Sequence, residues 1–256
     1  MLRLCEEISA RVREEIENLV NTEEGKEFVK INGKTTQRID AIAEKACFDV
    51  IEESKIPMLV ISEESGVKKF GEGKPEYICL LDPLDGSFNA LHNIPFFAIS
   101  IAFARDNEIL FGYVKNLVNK DYFYAEKGKE VKFNNKTIKI KSEKKSLKRS
   151  VISFYPPKRN IKVFELLNNV LTFRTLGSAA LELCYVAIEK LDAFIDLRDS
   201  IRNIDVAAAS LIVSEAGGVV TDRKGEELKL SLKEIRSLSV VASTPKLHEK
   251  IMEYIK

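Results

Sequence analysis

The sequence predicts a layered α/β sandwich in two halves: a mostly antiparallel sheet flanked by helices, then an α/β half with a mixed sheet. Three observations carry this. Two amphipathic helices open the chain, short strands crowd its middle, and strands alternate with helices over the remainder. The 256 residues are enough to bury a sizeable core.

Taken in order, Leu4, Ile8, Val12, Ile16 and Val20 recur every fourth residue and predict a first helix. Ile39, Ile42, Ala43, Ala46 and Val50 make the stripe of a second, with Thr36 just before it as a start signal. Strand-like runs follow at 58–61 and 77–81, each ending in acidic residues. Runs at 98–104, 109–114 and 122–125 then predict antiparallel strands, with a hairpin turning at Asn134 and Asn135. The lysine-rich stretch 139–149 marks the boundary between a 1–145 half and a 146–256 half. Beyond it come apolar runs at 151–154, 163–170, 173–175, 178–189, 193–196, 206–216, 219–221, 238–242 and 247–255, the alternation of an α/β unit.

Composition narrows the function. Hydrophobic residues at 45% and charged residues at 31% are those of an ordinary soluble domain. Forty Lys and Arg against 39 Asp and Glu leave no field to attract nucleic acid or an acidic membrane, so neither is an expected partner. No apolar run is long enough to span a bilayer, and the N-terminus reads as an amphipathic helix rather than a signal peptide. Cys5, Cys47, Cys79 and Cys184 are scattered without metal-ligand spacing; they read as buried thiols of a reducing compartment, with the cytoplasm the expected location.

Three segments place acids where the backbone leaves regular structure. Glu63-Glu64-Ser65-Gly66 follows one strand, Asp82-Pro83-Leu84-Asp85-Gly86-Ser87 follows another, and Asp205 precedes an apolar helix. Asp82 and Asp85, with the Leu84 carbonyl between them, can curl round hard cations, and Gly86 permits a close backbone approach. Oxygen-only donors suit Mg²⁺. Two histidines, His92 and His248, nearly exclude a multi-histidine zinc site. Ser87-Phe88-Asn89 could begin a helical turn facing a phosphate. Taken singly, these are turn dipeptides, a solvated acid pair and a helix cap. Their joint occurrence reverses that reading. A haloacid-dehalogenase site needs its two aspartates two residues apart, and a nucleotide P-loop ending at Gly33-Lys34-Thr35 would need glycine where Phe28 stands.

At these residues the chain resembles the inositol monophosphatase and fructose-1,6-bisphosphatase superfamily. Asp82 to Ser87 matches its aspartate-proline-aliphatic-aspartate-glycine-serine signature, and Glu63-Glu64-Ser65 its paired-glutamate segment. Gly177-Ser178-Ala179-Ala180 and Asp205-Val206-Ala207-Ala208 match two later segments, with Ile204 in place of the usual tryptophan. The segments at 153–157 and 196–198 are most similar to archaeal members, which act on both inositol 1-phosphate and fructose 1,6-bisphosphate.

The resemblance implies an αβαβα sugar-phosphatase sandwich, a homodimer, and hydrolysis of sugar and polyol phosphates by metal-activated water with two or three Mg²⁺ ions. It also implies roles. Glu63, Asp82, the Leu84 carbonyl, Asp85 and Asp205 would hold metal; Asp40 and Ser87 would orient and deprotonate the attacking water. Gly86 and Ser87 would offer backbone N–H groups to phosphate, while Ser178, Ala179 and Asp196 would line the substrate pocket. Arg198 is expected to grip a second phosphate, with Arg202, Tyr155, Lys158, Arg159 and Arg174 as further candidates. His92 is expected to pack locally, and nothing suggests an organic cofactor. The competing readings are a 3′(2′),5′-bisphosphate nucleotidase of the same superfamily, disfavoured by the lack of an adenine-binding insertion, and a non-catalytic binding protein, disfavoured by the intact set of acids.

Overall fold

A computed structural model describes residues 1–31, 33–141, 146–157 and 161–255, so Lys158 and Arg159, and residues 142–145 at the expected boundary, lie outside the described residues. Helix α1 (Leu2–Ile16) buries Leu4, Ile8, Val12 and Ile16 on one stripe. A short α2 (Glu23–Lys26) leads to a hairpin of β1 (Phe28–Ile31) and β2 (Lys34–Gln37), and then to α3 (Arg38–Ser54). Thr36 is therefore a residue of β2 and not the start signal; α3 begins after Gln37. The hairpin has little buried face to announce it: Phe28 is 73% exposed, no residue of β1 is fully buried, and β2 is Lys-Thr-Thr-Gln.

The first large sheet collects β3 (Met58–Ser62), β4 (Gly66–Phe70), β5 (Tyr77–Asp85), β6 (Ala98–Arg105), β7 (Glu108–Asn116), β8 (Tyr122–Glu126), β9 (Val131–Phe133) and β10 (Lys136–Ile138). A short helix α4 (Ser87–Leu91) interrupts it after β5. The strand order is β10-β9-β8-β7-β6-β5-β3-β4. Strands β3 and β5 run parallel and the other pairings are antiparallel, as expected. The β9–β10 hairpin turns at Asn134 and Asn135, both with positive φ, the geometry that lets a two-residue turn match strand twist.

The second sheet is formed by β11 (Val151–Tyr155), β12 (Thr172–Arg174), β13 (Ala193–Arg202), β14 (Val219–Thr221) and β15 (Ser237–Ser243), interleaved with α5 (Ile161–Asn169), α6 (Ala179–Ala187), α7 (Asn203–Glu215) and α8 (Pro245–Ile255). Its order is β12-β11-β13-β15-β14, parallel at β12-β11-β13 and antiparallel beyond, hence mixed.

Side-chain alternation stacks these parts into five layers. Helices α1 and α3 pack Ile8, Val12, Ile39 and Ile51 on one face of the large sheet, against Val60, Cys79 and Phe103. Its other face meets α6 and α7, which pack on Phe194, Val240 and Ala242 of the small sheet behind them. Helices α5 and α8 close the far side on Ile152, Ile195 and Val241. Along β13, Phe194 thus faces the middle helices while Ala193, Ile195 and Leu197 face the outer pair, the two-residue period of a strand buried on both sides. Each fully buried Leu, Ile or Phe contributes about 1.5–3 kcal/mol relative to exposure. Contact between α7 and the sheet is close: a Cβ on Gly112 of β7 would lie 2.6 Å from the Ala208 carbonyl. The alanines at 207–209 supply the thin helix surface that this approach requires. All four cysteines are buried and unpaired. Among the described residues no helix is long and apolar enough to cross a membrane.

Candidate active site

The site begins with a bulge. Asp82 lies opposite Ser100 of β6 and Asp85 opposite Ala98, so three steps on β5 match two on its partner. Ser100 and Ala98 share a face; the extra residue therefore turns both aspartates to the same side, which regular strand geometry would forbid at that spacing. Pro83 sits within the bulge, where a ladder donor is not needed. The Leu84 N–H donates to Asp82 Oδ1 at 3.1 Å, closing the turn.

Asp85 is held from the other half of the chain. The Ser178 hydroxyl donates to Oδ2 at 2.6 Å, the Ala180 N–H to Oδ2 at 2.7 Å and the Ala179 N–H to Oδ1 at 3.2 Å. These are the free donors at the start of α6, where a carboxylate is favoured. Gly86 follows with φ 93°. A Cβ there would come within 3.0 Å of the Gly177 carbonyl, so glycine is required both by conformation and by space. Asn89 in α4 donates to the Phe96 and Leu176 carbonyls, both at 2.7 Å, fastening the two turns together.

The remaining acids arrive from β3, α3 and α7. Glu63 and Glu64 occupy the turn after β3, and Glu44 of α3, 2% exposed, holds that turn by accepting from the Glu64 and Ser65 N–H groups and the Ser65 hydroxyl. Asp205 is in the first turn of α7, where Oδ2 accepts the Arg202 N–H at 2.9 Å. The Arg202 guanidinium then bridges Asp205 (2.9 Å from Oδ1) and Glu63. Arg202, a candidate second-phosphate grip, is thereby an ion-paired member of the acidic cluster. Asp40 lies in the first turn of α3 near Ser87, whose side chain lowers its proton affinity.

Crowding of like charges shows in the proton affinities. Burial raises Asp82 well above the usual carboxylate range, and Glu63, Asp205 and Asp85 add to this. Burial also pushes Asp85 up to about 7 against the opposing hydrogen bond from Ser178, with Asp205 raising it further. Asp205 is raised by burial despite its arginine. Asp40 reaches about 7, first through burial and then through Glu63 and Glu64. Burial also raises Glu64, with a Thr36 hydrogen bond opposing it.

On the substrate-facing side, Asp196 is fully buried and both its oxygens are taken by Arg198, whose Nη2 lies 2.6 Å from Oδ2. The guanidinium packs over the Tyr155 ring at 4.2 Å and is 42% exposed. Arg198, rather than Asp196, therefore presents its polar atoms outward. The Tyr155 hydroxyl donates to Glu182 Oε1 at 2.5 Å and accepts the Gly177 N–H at 3.0 Å. Arg174 stays on the exposed edge strand β12, its Nη1 turned back on Thr172 and the Phe173 carbonyl. His92 is exposed, stacked on Phe88 and bonded to the Phe88 carbonyl.

The donor set fits a hard divalent cation: carboxylates and a carbonyl, with neither histidine nor cysteine among them. Among the described residues no three acidic, histidine or cysteine side chains close into a ready-made cage.

A sequence profile of the Inositol monophosphatase family matches residues 2–256. A fructose-1,6-bisphosphatase/inositol-1-monophosphatase of Methanothermobacter thermautotrophicus is 40% identical over 268 residues, covering 97% of this chain and 95% of that protein. A bifunctional NADP phosphatase/NAD kinase of Methanococcus maripaludis is 37% identical over 276 residues, covering 98% of this chain. The chain spans about half of that relative, 48% of its length. A solved inositol monophosphatase–fructose 1,6-bisphosphatase superposes with a TM-score of 0.86 at 30% identity, covering 99% of this chain and 98% of the other.

Proposed function

This chain belongs to the inositol monophosphatase family, and from that premise we propose that it removes phosphate from phosphorylated sugars and polyols, fructose 1,6-bisphosphate and inositol 1-phosphate among them, with Mg²⁺ as its metal. The observation that carries the reading is the bulge that turns Asp82 and Asp85 to one side, within electrostatic reach of Glu63 and Asp205. In this reading residues 1–145 supply most of the metal ligands and 146–256 the substrate pocket.

Glu63, Asp82, the Leu84 carbonyl, Asp85 and Asp205 would hold two or three ions, which when bound neutralise phosphate charge and make water a competent nucleophile. The protein's own groups do the rest. Asp40 accepts a proton relayed through Ser87, which lies near it. The N–H groups of Gly86 and Ser87 orient the phosphate, and Ser178 and Ala179 fix Asp85 while lining the pocket. Arg198, splayed on Tyr155 and pinned by Asp196, offers a preorganised cation to a second phosphate. Cytoplasmic location and a two-fold homodimer complete the proposal; sedimentation at micromolar protein tests the latter, and a monomer alone defeats it.

The likeness to the Methanococcus maripaludis NADP phosphatase favours a second reading, removal of the ribose phosphate of NADP. One assay separates the two: phosphate release from fructose 1,6-bisphosphate, inositol 1-phosphate, NADP and a 3′,5′-bisphosphate nucleotide, with and without Mg²⁺. Release from the first two that vanishes with chelator is the expected result. Release confined to a nucleotide would replace the leading reading, and no release from any would reject both.

A further inference from the structure

We propose that Glu182 is a positioning residue that ties the Tyr155–Arg198 face to Asp85 and thereby sets how tightly the acidic cluster holds divalent cations, an inference that rests on the metal reading above. Glu182 lies in α6 between Leu181 and Leu183 and is fully buried. A leucine there would suit an otherwise apolar helix, whereas a buried carboxylate carries a desolvation cost that only specific partners offset. Its partners are of one kind. Oε1 accepts the Tyr155 hydroxyl and the N–H groups of Leu176 (3.2 Å) and Gly177 (3.0 Å), and Oε2 accepts the Ser153 hydroxyl.

Two of those donors belong to the turn that begins α6, and that turn is what holds Asp85. One step beyond Gly177, the Ser178 hydroxyl and the N–H groups of Ala179 and Ala180 close on the Asp85 carboxylate. The turn has no slack to absorb a displacement. Gly177 has φ 90°, a Cβ on it would lie 2.9 Å from Asn89 Nδ2, and its carbonyl would lie 3.0 Å from a Cβ on Gly86. Moving the turn therefore moves Asp85, Gly86 and Asn89 together. The same carboxylate fixes the Tyr155 ring on which Arg198 rests. Glu182 is thus the shared anchor of two surfaces that a bisphosphate would touch at once. Its carboxylate has no hydrogen bond to Asp85 or Arg198 themselves.

The test compares E182L with E182Q by calorimetric Mg²⁺ titration without substrate, alongside melting temperature and steady-state kinetics. Glutamine can keep the geometry: Oε1 accepts the same three donors, and Nε2 donates to the Ser153 hydroxyl, which can accept. The expected result is Mg²⁺ binding about tenfold weaker in E182L and near wild type in E182Q, the scale on which groups supporting metal ligands act. A lower melting temperature in E182L with unchanged Mg²⁺ affinity would reduce Glu182 to a purely structural part and overturn the inference. Equal weakening in both variants would mean that its charge acts, not its position, and would also overturn it. If E182L does not fold, Y155F decides by the same titration: deleting the hydroxyl between Glu182 and Gly177 should weaken Mg²⁺ about threefold, and a wild-type value overturns the proposal. A wild-type protein that takes up no Mg²⁺ rejects the metal reading and this inference with it. One that binds, with E182L binding equally well, rejects this inference alone.

Discussion

The two acid-bearing regions of the molecule are provisioned with different partners, although burial raises Glu182 as it raises the aspartates. Around the β5 bulge, Arg202 ion-pairs with Glu63 and Asp205, and the three aspartates are pushed toward holding their protons. Across the α6 turn, Glu182 is saturated by four donors and Asp196 by its own arginine. Buried carboxylates with complete partners specify geometry; buried carboxylates in excess of cations leave room for more positive charge. The first region is built to receive a cation, the second to hold a shape.

The largest expected effect breaks the first region. Asp82→Asn or Asp85→Asn removes a charged oxygen ligand, and metal assistance is worth several kcal/mol, so Mg²⁺-dependent turnover should fall by more than about a hundredfold. The fold should survive, because the amide oxygen that D82N introduces can still accept the Leu84 N–H. Metal-free D82N should in fact melt above the wild type, since a like charge has left the cluster. Circular dichroism melts and a phosphate-release assay check both statements. Full activity in either variant would remove the metal reading, and a lower metal-free melting temperature in D82N would remove the contrast between the regions.

A smaller effect probes the second region. Arg198→Ala deletes a group there that combines positive charge with exposure. A lost charge-assisted contact to phosphate costs about 1.5–3 kcal/mol, and it should appear mainly in kcat/KM for fructose 1,6-bisphosphate. Inositol 1-phosphate has no second phosphate and should be affected less. Equal losses on the two substrates would mean that Arg198 serves only to pin Asp196 and the Tyr155 ring.

The pH dependence of the metal-free protein sharpens the comparison further. Asp40 and Asp85 stand near 7 in the folded state against an ordinary value of 3.8. Between those values the folded protein binds more protons than the unfolded chain, so stability falls as pH rises through that window and levels off above it. Scanning calorimetry in chelator from pH 5 to 8 should show the melting temperature dropping by roughly ten degrees or more, the order expected for about 5 kcal/mol lost by two groups with these values in a chain of this size. Saturating Mg²⁺ should flatten the slope, since cations take over the role of the protons. A flat or rising profile without metal would show the acids ionised and compensated, contrary to the picture of an under-neutralised cluster.

What the sequence revealed of these regions follows from where the information is local. Asp82 to Ser87 is a contiguous motif whose proline and glycine announce the bulge and turn, and the stripes of α1 and α3 follow directly from periodicity. Arg202 was legible as a cation but not as the partner of Glu63, which is remote in sequence and adjacent only once α7 packs on the large sheet beside β5. Glu44 and Glu182 were missed because a glutamate within a helix reads by default as a solvated face. A signal was present in each case. Glu44 follows Ala43 on the buried side of its stripe, and Glu182 is the lone acid in the run Ala179-Ala180-Leu181-Glu182-Leu183-Cys184, where every neighbour is apolar. An acid inside an apolar run is the informative kind of exception.

The smallest expected effect belongs to His92, close in sequence to both the bulge and α4. Histidine near a cluster of acids invites an acid–base role, and its ring nitrogens could serve one. Its surroundings point elsewhere. The ring stacks on Phe88 at 4.0 Å, Nδ1 lies 2.7 Å from the Phe88 carbonyl, and Phe88 itself is 65% exposed. This is a surface stack closing the end of a five-residue helix, and neither ring nor backbone reaches Asp40, Asp82 or Glu182 in any hydrogen bond described above. His92→Ala should therefore change stability by no more than about 0.5 kcal/mol and leave kcat/KM within about twofold on either substrate. Chemical denaturation and steady-state kinetics across pH 6–8 measure both. A tenfold loss, or a pH profile that loses one limb in the variant, would show a proton passing through His92 and would add a third region to a comparison that here needs only two.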